Sequence, residues 1–428
     1  MITIASLHNS FLKCKSVSTD TRKIEKDSLF IALKGDNFDA NTFAKEAIEK
    51  GAKYVIIDNP NYTIDERTIL VEDSLIALQE LAKYHRTYLG ITIIALTGSN
   101  GKTTTKELIH AVLSKKYRTL ATIGNLNNHI GVPLTLLRFT KETEIGIIEM
   151  GANHQKEIEF LCQITQPDYG YITNFGKAHL EGFGGVEGVI KGKSEMYNFL
   201  KNNNKITFVN LDDTIQKEKT ENIKKYTFST KATDSDVSIS KIEANPMVKI
   251  TYNNQSINSH LIGIYNANNI NAAITIGNYF KVYDDLIKEA IENYIPENNR
   301  SQLIEKNGNE IILDAYNANP SSMSAAITNF IQLEKKNKIA ILGDMFELGE
   351  ESLIEHKKII ELLVNETNIK TYFIGKDFYS NRIQNSHINF FEDFKLFSDF
   401  LKLNQPNNSL LLIKGSRGMA LEKTLEII

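Results

Sequence analysis

Ile93-Ile-Ala-Leu-Thr-Gly-Ser-Asn-Gly-Lys-Thr-Thr-Thr-Lys-Glu107 runs from an apolar, β-branched stretch through two glycines into a segment with helical spacing. That order reads as a buried strand, a tight loop and the start of a helix. Gly98 and Gly101 let the backbone turn sharply and present its N–H groups, which with the helix N-terminus bind phosphate oxygens. Lys102 adds a point charge near the terminal phosphates, and the Thr103 hydroxyl is placed to hold Mg2+. The spacing departs from the usual phosphate loop. Only Ser99 and Asn100 separate the glycines, and Leu96 stands where the first glycine belongs. An ordinary strand-to-helix turn is the alternative reading, and the loop by itself names no reaction.

Outward from this loop, short apolar runs alternate with longer amphipathic stretches. The runs are Tyr54–Ile57, Ile91–Leu96, Gly146–Glu149, Tyr169–Thr173, Ile206–Val209, Ile339–Leu342, Thr371–Ile374 and Leu410–Ile413. Each has the length and β-branched content of a buried strand, whereas Thr103–Lys116 and Glu351–Val364 have helical apolar spacing. The pattern predicts an α/β protein with mainly parallel sheets. No repeat of fixed period is visible, which excludes a solenoid. A helix-like stretch yields to Gly90 near Tyr84–Gly90, and Pro296 breaks a helix within Tyr294–Asn299. These breaks divide the chain into domains at 1–85, 86–295 and 296–428. Lys201–Lys205 reads as a turn.

The 428 residues suit about three domains. A hydrophobic content of 42% with 24% charged residues excludes wholesale disorder. Lys and Arg total 49 against 52 Asp and Glu, so no global basic field attracts nucleic acid. Two cysteines, Cys14 and Cys162, are too few for a disulfide framework or a cysteine zinc site. They fit a reducing compartment, and a cytoplasmic location is expected. No apolar run reaches the ~20 residues of a membrane helix, so no stable membrane insertion is expected. The first residues lack the charged and apolar regions of a signal peptide.

Carboxylate and imidazole groups follow the later strands. Glu149 stands at the exit of an apolar strand, where open parallel sheets bind ligands. It can help to coordinate the same Mg2+, directly or through water, or it can be an ordinary strand-end acid. His179 follows the strand Tyr169–Thr173 in the segment Ala178-His-Leu-Glu-Gly-Phe-Gly184; a lone histidine is more often structural. Gly188–Tyr197 reads as a helix start that would bring Lys193 beside the anionic site.

Assembled, these motifs resemble the Mur ligase family of peptidoglycan synthesis, and the resemblance covers nearly the whole chain. Thr97–Thr103, TGSNGKT, matches the family's ATP loop, so Thr97, Gly98, Ser99, Asn100, Gly101, Lys102 and Thr103 are implied nucleotide contacts. Glu149 in EMGA and His179 in AHLEGFG look like the family's magnesium ligands, and Lys193 in KGKSEMY aligns with its carbamylated lysine. A carbamate would supply an anionic oxygen to a second Mg2+; Lys191 stands close enough to compete for that role. Asn266 and Asn269 match positions near the adenine, with Tyr265 where the family has histidine. Arg300 and Asp314 match phosphate and ribose contacts.

The third-domain segments Asp314-Ala-Tyr-Asn-Ala-Asn-Pro-Ser-Ser-Met323, Leu342–Glu351 with His356, and Lys414-Gly-Ser-Arg417 resemble the branch that adds a terminal dipeptide. Tyr316, Asn317, Asn319, Lys414 and Arg417 are then implied substrate contacts; in a turn-only reading, Asn317, Asn319 and Pro320 merely join strand to helix. Val17–Arg22 with Ser18, Thr19, Asp20 and Arg22, and Leu29–Asp39 with Lys34, resemble the UDP-sugar-binding region. Asn127–Pro133 with Asn128 resembles the loop beside the substrate.

The resemblance implies three α/β domains: an N-terminal UDP-substrate domain, a central, mostly parallel-sheet ATPase domain and a C-terminal Rossmann-like domain. It implies an ATP-dependent amide ligase that joins D-alanyl-D-alanine to UDP-N-acetylmuramoyl-tripeptide through an acyl phosphate. Lys102, Glu149, His179 and Lys193 would be its catalytic residues. ATP, two Mg2+ ions and carbamylated Lys193 are the implied cofactors, held by Thr103, Glu149, His179 and Lys193, and a monomer is expected. The alternatives are another amide ligase, such as the enzyme adding the third residue or a folylpolyglutamate synthetase-like protein, or a nucleotide-binding module without ligation.

Overall fold

The computed structural model describes residues 2–297 and 299–428. The chain is built on three main sheets. Val17–Ser18, Leu29–Ile31, Tyr54–Ile57 and Thr68–Leu70 form a four-stranded, all-parallel sheet in that order. Helix Ser74–Leu89 leads out of it. Its start is fixed by Asp73, whose side chain accepts the Ile76 N–H, and Gly90 ends it at φ 62°. Asn298, within the expected break at Tyr294–Asn299, lies outside the described residues.

The second sheet has nine strands. Its parallel part runs Thr119–Ala121, Ile145–Glu149, Thr92–Thr97, Tyr169–Ile172, Ile206–Asn210, Lys225–Ser229 and Val237–Ala244. Both faces are covered, which explains why the central strands read as unbroken apolar runs. Along Thr92–Thr97, Ile93 and Ala95 join a core shared with helices Glu157–Thr165 and Val186–Asn202. Ile94 and Leu96 join the opposite core, shared with helices Lys102–Leu113 and Ala267–Tyr279. Period-two alternation thus feeds two cores from one strand.

The sheet is mainly parallel, as expected, with one antiparallel part. Met247–Tyr252 and Gln255–Ile262 extend it as antiparallel strands. They carry the alternation of a half-solvated meander, with Ile250 and Ile257 buried and Lys249 and Asn258 exposed. Polar residues on the wet face break up the apolar signal that marks the buried strands.

The third sheet runs Gln302–Lys306, Asn309–Asp314, Leu410–Lys414, Lys338–Gly343, Ile369–Ile374 and Ile388–Phe391. The first pair is an antiparallel hairpin and the rest are parallel. Helix Pro320–Gln332 follows the second strand at once, with Asn319 as its cap. Residues just beyond the carboxyl ends of Thr92–Thr97 and Ile145–Glu149 and those at the ends of Asn309–Asp314 and Leu410–Lys414 line one cavity. Open α/β sheets place ligands at such strand ends, and here two sheets supply them to one space.

Candidate active site

Backbone geometry and neighbouring side chains together build the phosphate loop. Gly98 has φ 142°, and a Cβ there would lie 1.9 Å from Thr173 Oγ1. Gly101 has φ 77°, and its Cβ would lie 2.4 Å from Asn269 Oδ1. Neither position accepts a side chain without displacing a neighbour, which is the physical reason for both glycines. The Ser99 N–H donates to the Asn174 carbonyl at 3.1 Å, and the Ser99 hydroxyl donates to the Gly176 carbonyl at 2.6 Å. Lys102 folds back so that Nζ donates to the carbonyls of Gly98 at 2.7 Å and Ser99 at 3.3 Å. Desolvation holds this lysine below its ordinary value; Glu149 opposes the shift and Arg300 reinforces it. An anion brought to the loop would favour the charged form.

Asn269 is the far wall of the loop. Its Oδ1 accepts from Thr105 Oγ1 at 3.0 Å and its Nδ2 donates to Asn266 Oδ1 at 2.8 Å. Asn266 in turn donates to the Ile262 carbonyl at 2.8 Å. Both asparagines line the cavity, so the pair buttresses the helix start as well as facing the nucleotide side.

Glu149 is 1% exposed. Its Oε1 accepts from Asn127 Nδ2 at 2.8 Å, whereas the buried Oε2 has no hydrogen-bond partner. A buried carboxylate oxygen left unpartnered is costly, and a hard cation with oxygen ligands is the partner that suits it. Thr103 lines the same cavity. The donor set therefore fits Mg2+, although among the described residues no group of three His, Cys, Asp or Glu side chains converges on one point. His179 also lines the cavity, at φ 53°, and its Nδ1 pairs with Glu347 Oε2 from the third sheet's side. That pairing holds the Glu347 carboxyl below its usual range.

The two lysines offered by the sequence separate clearly. Lys191 is exposed, whereas Lys193 is 1% exposed on helix Val186–Asn202. Lys193 is not on the cavity wall; its Nζ sits 5.2 Å from the centre of the Phe183 ring. No carboxylate among the described residues lies within ion-pair distance of it. Desolvation, reinforced by Lys102 and opposed by Glu157, pushes this amine well below the ordinary lysine range.

The third sheet supplies the facing wall. Lys414, 2% exposed, pairs with Asp314 at 2.5 Å. The other Asp314 oxygen accepts the Ser301 N–H at 3.1 Å, and Ser301 Oγ meets Tyr265 Oη at 3.0 Å. Arg300 stacks on Tyr316 with Cζ 3.7 Å from the ring centre, and Arg417 approaches the same ring at 5.3 Å. Arg300 Nε is buried without a partner. Tyr316, Asn317 and Asn319 line the cavity, as does Asn128 from the central sheet's side, whereas Arg417 lies off its wall. The cavity measures about 780 Å³.

The N-terminal candidates do not reach this cavity. Ser18, Thr19, Asp20, Arg22 and Lys34 stand with the first sheet, and all three of their charges are already engaged. Arg22 is bidentate to Asp20 at 2.9 and 2.8 Å and holds that carboxyl down to about 2. Lys34 pairs with Asp58 at 2.7 Å. Sequence reasoning passed over Asn127, which orients Glu149, and Glu157, Lys177 and Ser321, which sit at the cavity or its seam. Asn127 had a signal in the doubled asparagine before Ile130-Gly-Val-Pro133, and only its neighbour was singled out.

Comparisons with known proteins agree along the chain. Residues 13–86 match the model of the Mur ligase family catalytic domain, residues 96–277 the Mur ligase middle domain and residues 299–417 the Mur ligase glutamate ligase domain. The chain is 36% identical over 420 residues to the UDP-N-acetylmuramoyl-tripeptide–D-alanyl-D-alanine ligase of Bacillus subtilis, covering 96% of this chain and 92% of that one. It is 34% identical to the enzyme of that name from Escherichia coli, covering 99% and 95%. A crystal structure of MurF from Acinetobacter baumannii superposes with a TM-score of 0.86 at 30% identity, covering 99% and 97%. MurF from Thermotoga maritima in complex with ADP gives 0.84 at 27%, covering 97% of each chain.

Proposed function

The chain belongs to the Mur ligase family, and from that premise we infer what its cavity does: it joins D-alanyl-D-alanine to UDP-N-acetylmuramoyl-tripeptide. It is an ATP-dependent ligase of peptidoglycan synthesis. The observation that carries the reading is the meeting of the phosphate loop with the Asp314–Asn319 segment in one cavity. That segment belongs to the dipeptide-adding branch by its sequence, and the loop belongs to ATP by its geometry. The presence of Glu149, His179 and Lys193 together argues against alternatives without ligation, since a nucleotide binder needs no second metal site.

Amide formation in water requires an activated carboxylate. The tripeptide's terminal carboxylate attacks the γ-phosphate of ATP, giving an acyl phosphate and ADP. The dipeptide amine then attacks the acyl carbon, phosphate leaves, and the amine loses a proton. The first step brings two anions together, so the chain's task is chiefly electrostatic. Lys102 and the loop N–H groups hold the phosphates, and Arg300, stacked on Tyr316, faces them from the third sheet. Asp314, fixed by Lys414, is oriented for the ribose hydroxyls, while Asn266 and Asn269 stand on the nucleotide side. Thr103 and Glu149 would hold Mg2+, which supplies charge neutralisation at the phosphates.

His179 and a carbamylated Lys193 would hold a second ion. The Lys193 amine is buried, lacks an anionic partner and is disposed to be neutral, which is the form that adds to carbon dioxide; a proton is released as the carbamate forms. Burial of Lys193 and exposure of Lys191 favour Lys193 for this role.

In this scheme residues 1–85 bind the UDP-muramoyl peptide, 86–295 bind ATP and 296–428 bring the dipeptide and part of the ATP site. Ser18, Thr19, Asp20, Arg22 and Lys34 would grip the UDP end, and Asn128 the peptide end. Tyr316, Asn317, Lys414 and Arg417 would stand near the dipeptide. The need for ATP and the free thiols of Cys14 and Cys162 fit a reaction in the cytoplasm, and one chain supplies every group named. Among the described residues no helix is long and apolar enough to cross a membrane.

The test is phosphate release from Mg·ATP and UDP-N-acetylmuramoyl-tripeptide, with and without D-alanyl-D-alanine. Release that requires both partners, with the pentapeptide seen by mass, is the expected result. Release with neither, or with a single amino acid replacing the dipeptide, would move the chain to another branch.

A further inference from the structure

Asn319 does two things at once. Its Oδ1 accepts the Ser322 N–H at 2.9 Å and its own N–H donates to Ser322 Oγ at 3.1 Å, a closed cap for helix Pro320–Gln332. Its Nδ2 then reaches across to the central sheet's side and donates to Asn100 Oδ1 at 2.7 Å. Asn100 Nδ2 returns toward Asn319 Oδ1 at 3.4 Å. Asn100 does not need that side chain to shape the loop. Its N–H donates to Asn174 Oδ1 at 3.1 Å, and its carbonyl accepts from Thr173 Oγ1 at 2.6 Å and Asn174 Nδ2 at 3.0 Å.

The surrounding seam is built for close approach. Lys177 N–H donates to Ser321 Oγ at 2.8 Å, and Lys177 Nζ pairs with the buried Glu355 at 2.7 Å. A Cβ on Gly176 would lie 3.0 Å from Asn100 Nδ2 and 3.1 Å from Ser321 Cβ, so glycine admits the helix start to the loop.

We propose that the Asn100–Asn319 amide pair is the positioning contact through which nucleotide at the phosphate loop seats the dipeptide-binding side over the acyl centre. The inference rests on the ligase reading above and assigns both residues to each other rather than to separate ligands. Asn174 already fixes the peptide plane before Asn100, and phosphate held by the N–H groups that follow fixes the plane after it, and with it the seat of the Asn100 side chain. Asn319 reads that position and transmits it, through its cap, to the helix and to Tyr316 and Asn317 just before it.

A double-mutant cycle on the full chain tests this. Asn319→Ser keeps a capping oxygen but cannot reach Asn100. Asn100→Ser removes only the side chain from a loop anchored by its backbone. Either change is expected to raise the KM for dipeptide about tenfold with little change in the unfolding transition. The double variant is expected to be no worse than a single one, a coupling of about 1.4 kcal/mol. ADP affinity by calorimetry should show the same non-additivity and needs no ligation, so it separates this proposal from the ligase assignment. Effects that multiply in the double variant, in dipeptide KM and in ADP affinity, would overturn the pair.

Discussion

Replacing Gly101 by alanine tests whether the phosphate loop is shaped by the wall behind it. The residue sits at φ 77°, where an L side chain costs about 1 kcal/mol. The added Cβ would meet Asn269 Oδ1 at 2.4 Å. That oxygen is on a side chain, but not a free one: Thr105 and Asn266 hold the amide through two buried hydrogen bonds. Displacing it forfeits about 1 kcal/mol for each, so Gly101→Ala should destabilise the nine-stranded unit by about 3 kcal/mol. For a unit of this size that is a fall of about 6–12 °C in its unfolding midpoint. The KM for ATP should rise at least about tenfold, because the loop N–H groups move with the helix start.

Asn269→Ala alone should cost about 2 kcal/mol, the same two hydrogen bonds. The double variant has no clash left to relieve and should cost about 3 kcal/mol, against the roughly 5 that additivity requires. Additive losses would refute the reasoning, since the Cβ contact would then not be the cause. Gly98→Ala is the contrasting case. Its Cβ would meet the Thr173 backbone nitrogen at 2.9 Å as well as the hydroxyl, so Thr173→Ala should not rescue it.

Three further outcomes are expected. Lys193→Ala should abolish ligation while leaving ADP binding measurable, and short carboxylic acids should partly restore the rate; full activity in the variant would remove the carbamate. Tyr316→Leu deletes the ring beneath Arg300 and should raise the KM for ATP about three- to tenfold, read by phosphate release at fixed tripeptide; an unchanged KM would show that Arg300 is oriented by other groups. The His8–His85 pair predicts acid sensitivity between helix Ile4–Phe11 and helix Ser74–Leu89. His85 Nε2 donates to the Phe139 carbonyl at 2.9 Å, so its Nδ1 must accept from His8 Nε2 at 3.0 Å, and both rings are neutral. Burial lowers His8 to about 4, with His85 adding to the shift. The unfolded chain therefore binds more protons between about pH 6.5 and 4, and the pair's contribution is complete above that window and lost on acidification through it. Near the exposed rings of Tyr84 and Tyr88, solvent screening limits the loss to about 1–2 kcal/mol. Chemical denaturation at pH 7 and pH 4 should show it, and His8→Phe should flatten it; an unchanged slope in the variant would count against the pair.

What could be read from the text and what could not follow from the range of the interactions. All eight apolar runs quoted from the sequence are strands, because a strand covered on both faces must be apolar throughout, and that is a local signal. The phosphate loop was legible for the same reason: its glycines, lysine and threonine are consecutive. The antiparallel extension at Met247–Ile262 was not, because its wet face dilutes the apolar pattern with lysine and asparagine. Asn127 was passed over because its importance lies in a single hydrogen bond to a residue on the next strand. The engagement of Arg22 with Asp20 and of Lys34 with Asp58 was equally invisible. A list of polar side chains says which could bind a ligand, but not which already hold one another.

The same distinction bears on how the site works. Of the groups that face the cavity, Asp314 and Lys414 neutralise each other and Glu149 is half satisfied by Asn127, while Lys102 spends its charge on loop carbonyls. Among the described residues, the buried atoms of this cavity wall left without a partner are one carboxylate oxygen and one guanidinium nitrogen, Glu149 Oε2 and Arg300 Nε. They stand on different domains, one expected to hold a cation and the other an anion. Neither sheet alone therefore presents a complete site for a metal-bearing triphosphate. An acyl phosphate is destroyed by water, so a site completed only when the third domain is seated forms it only where the amine can reach it. A variant whose third domain unseats sooner exposes the acyl phosphate, once made, to water before the amine attacks, and should release phosphate without making peptide. For Asn319→Ser the ratio of phosphate to pentapeptide should rise above one, and a ratio held at one with a slower rate would mean that seating governs speed and not protection.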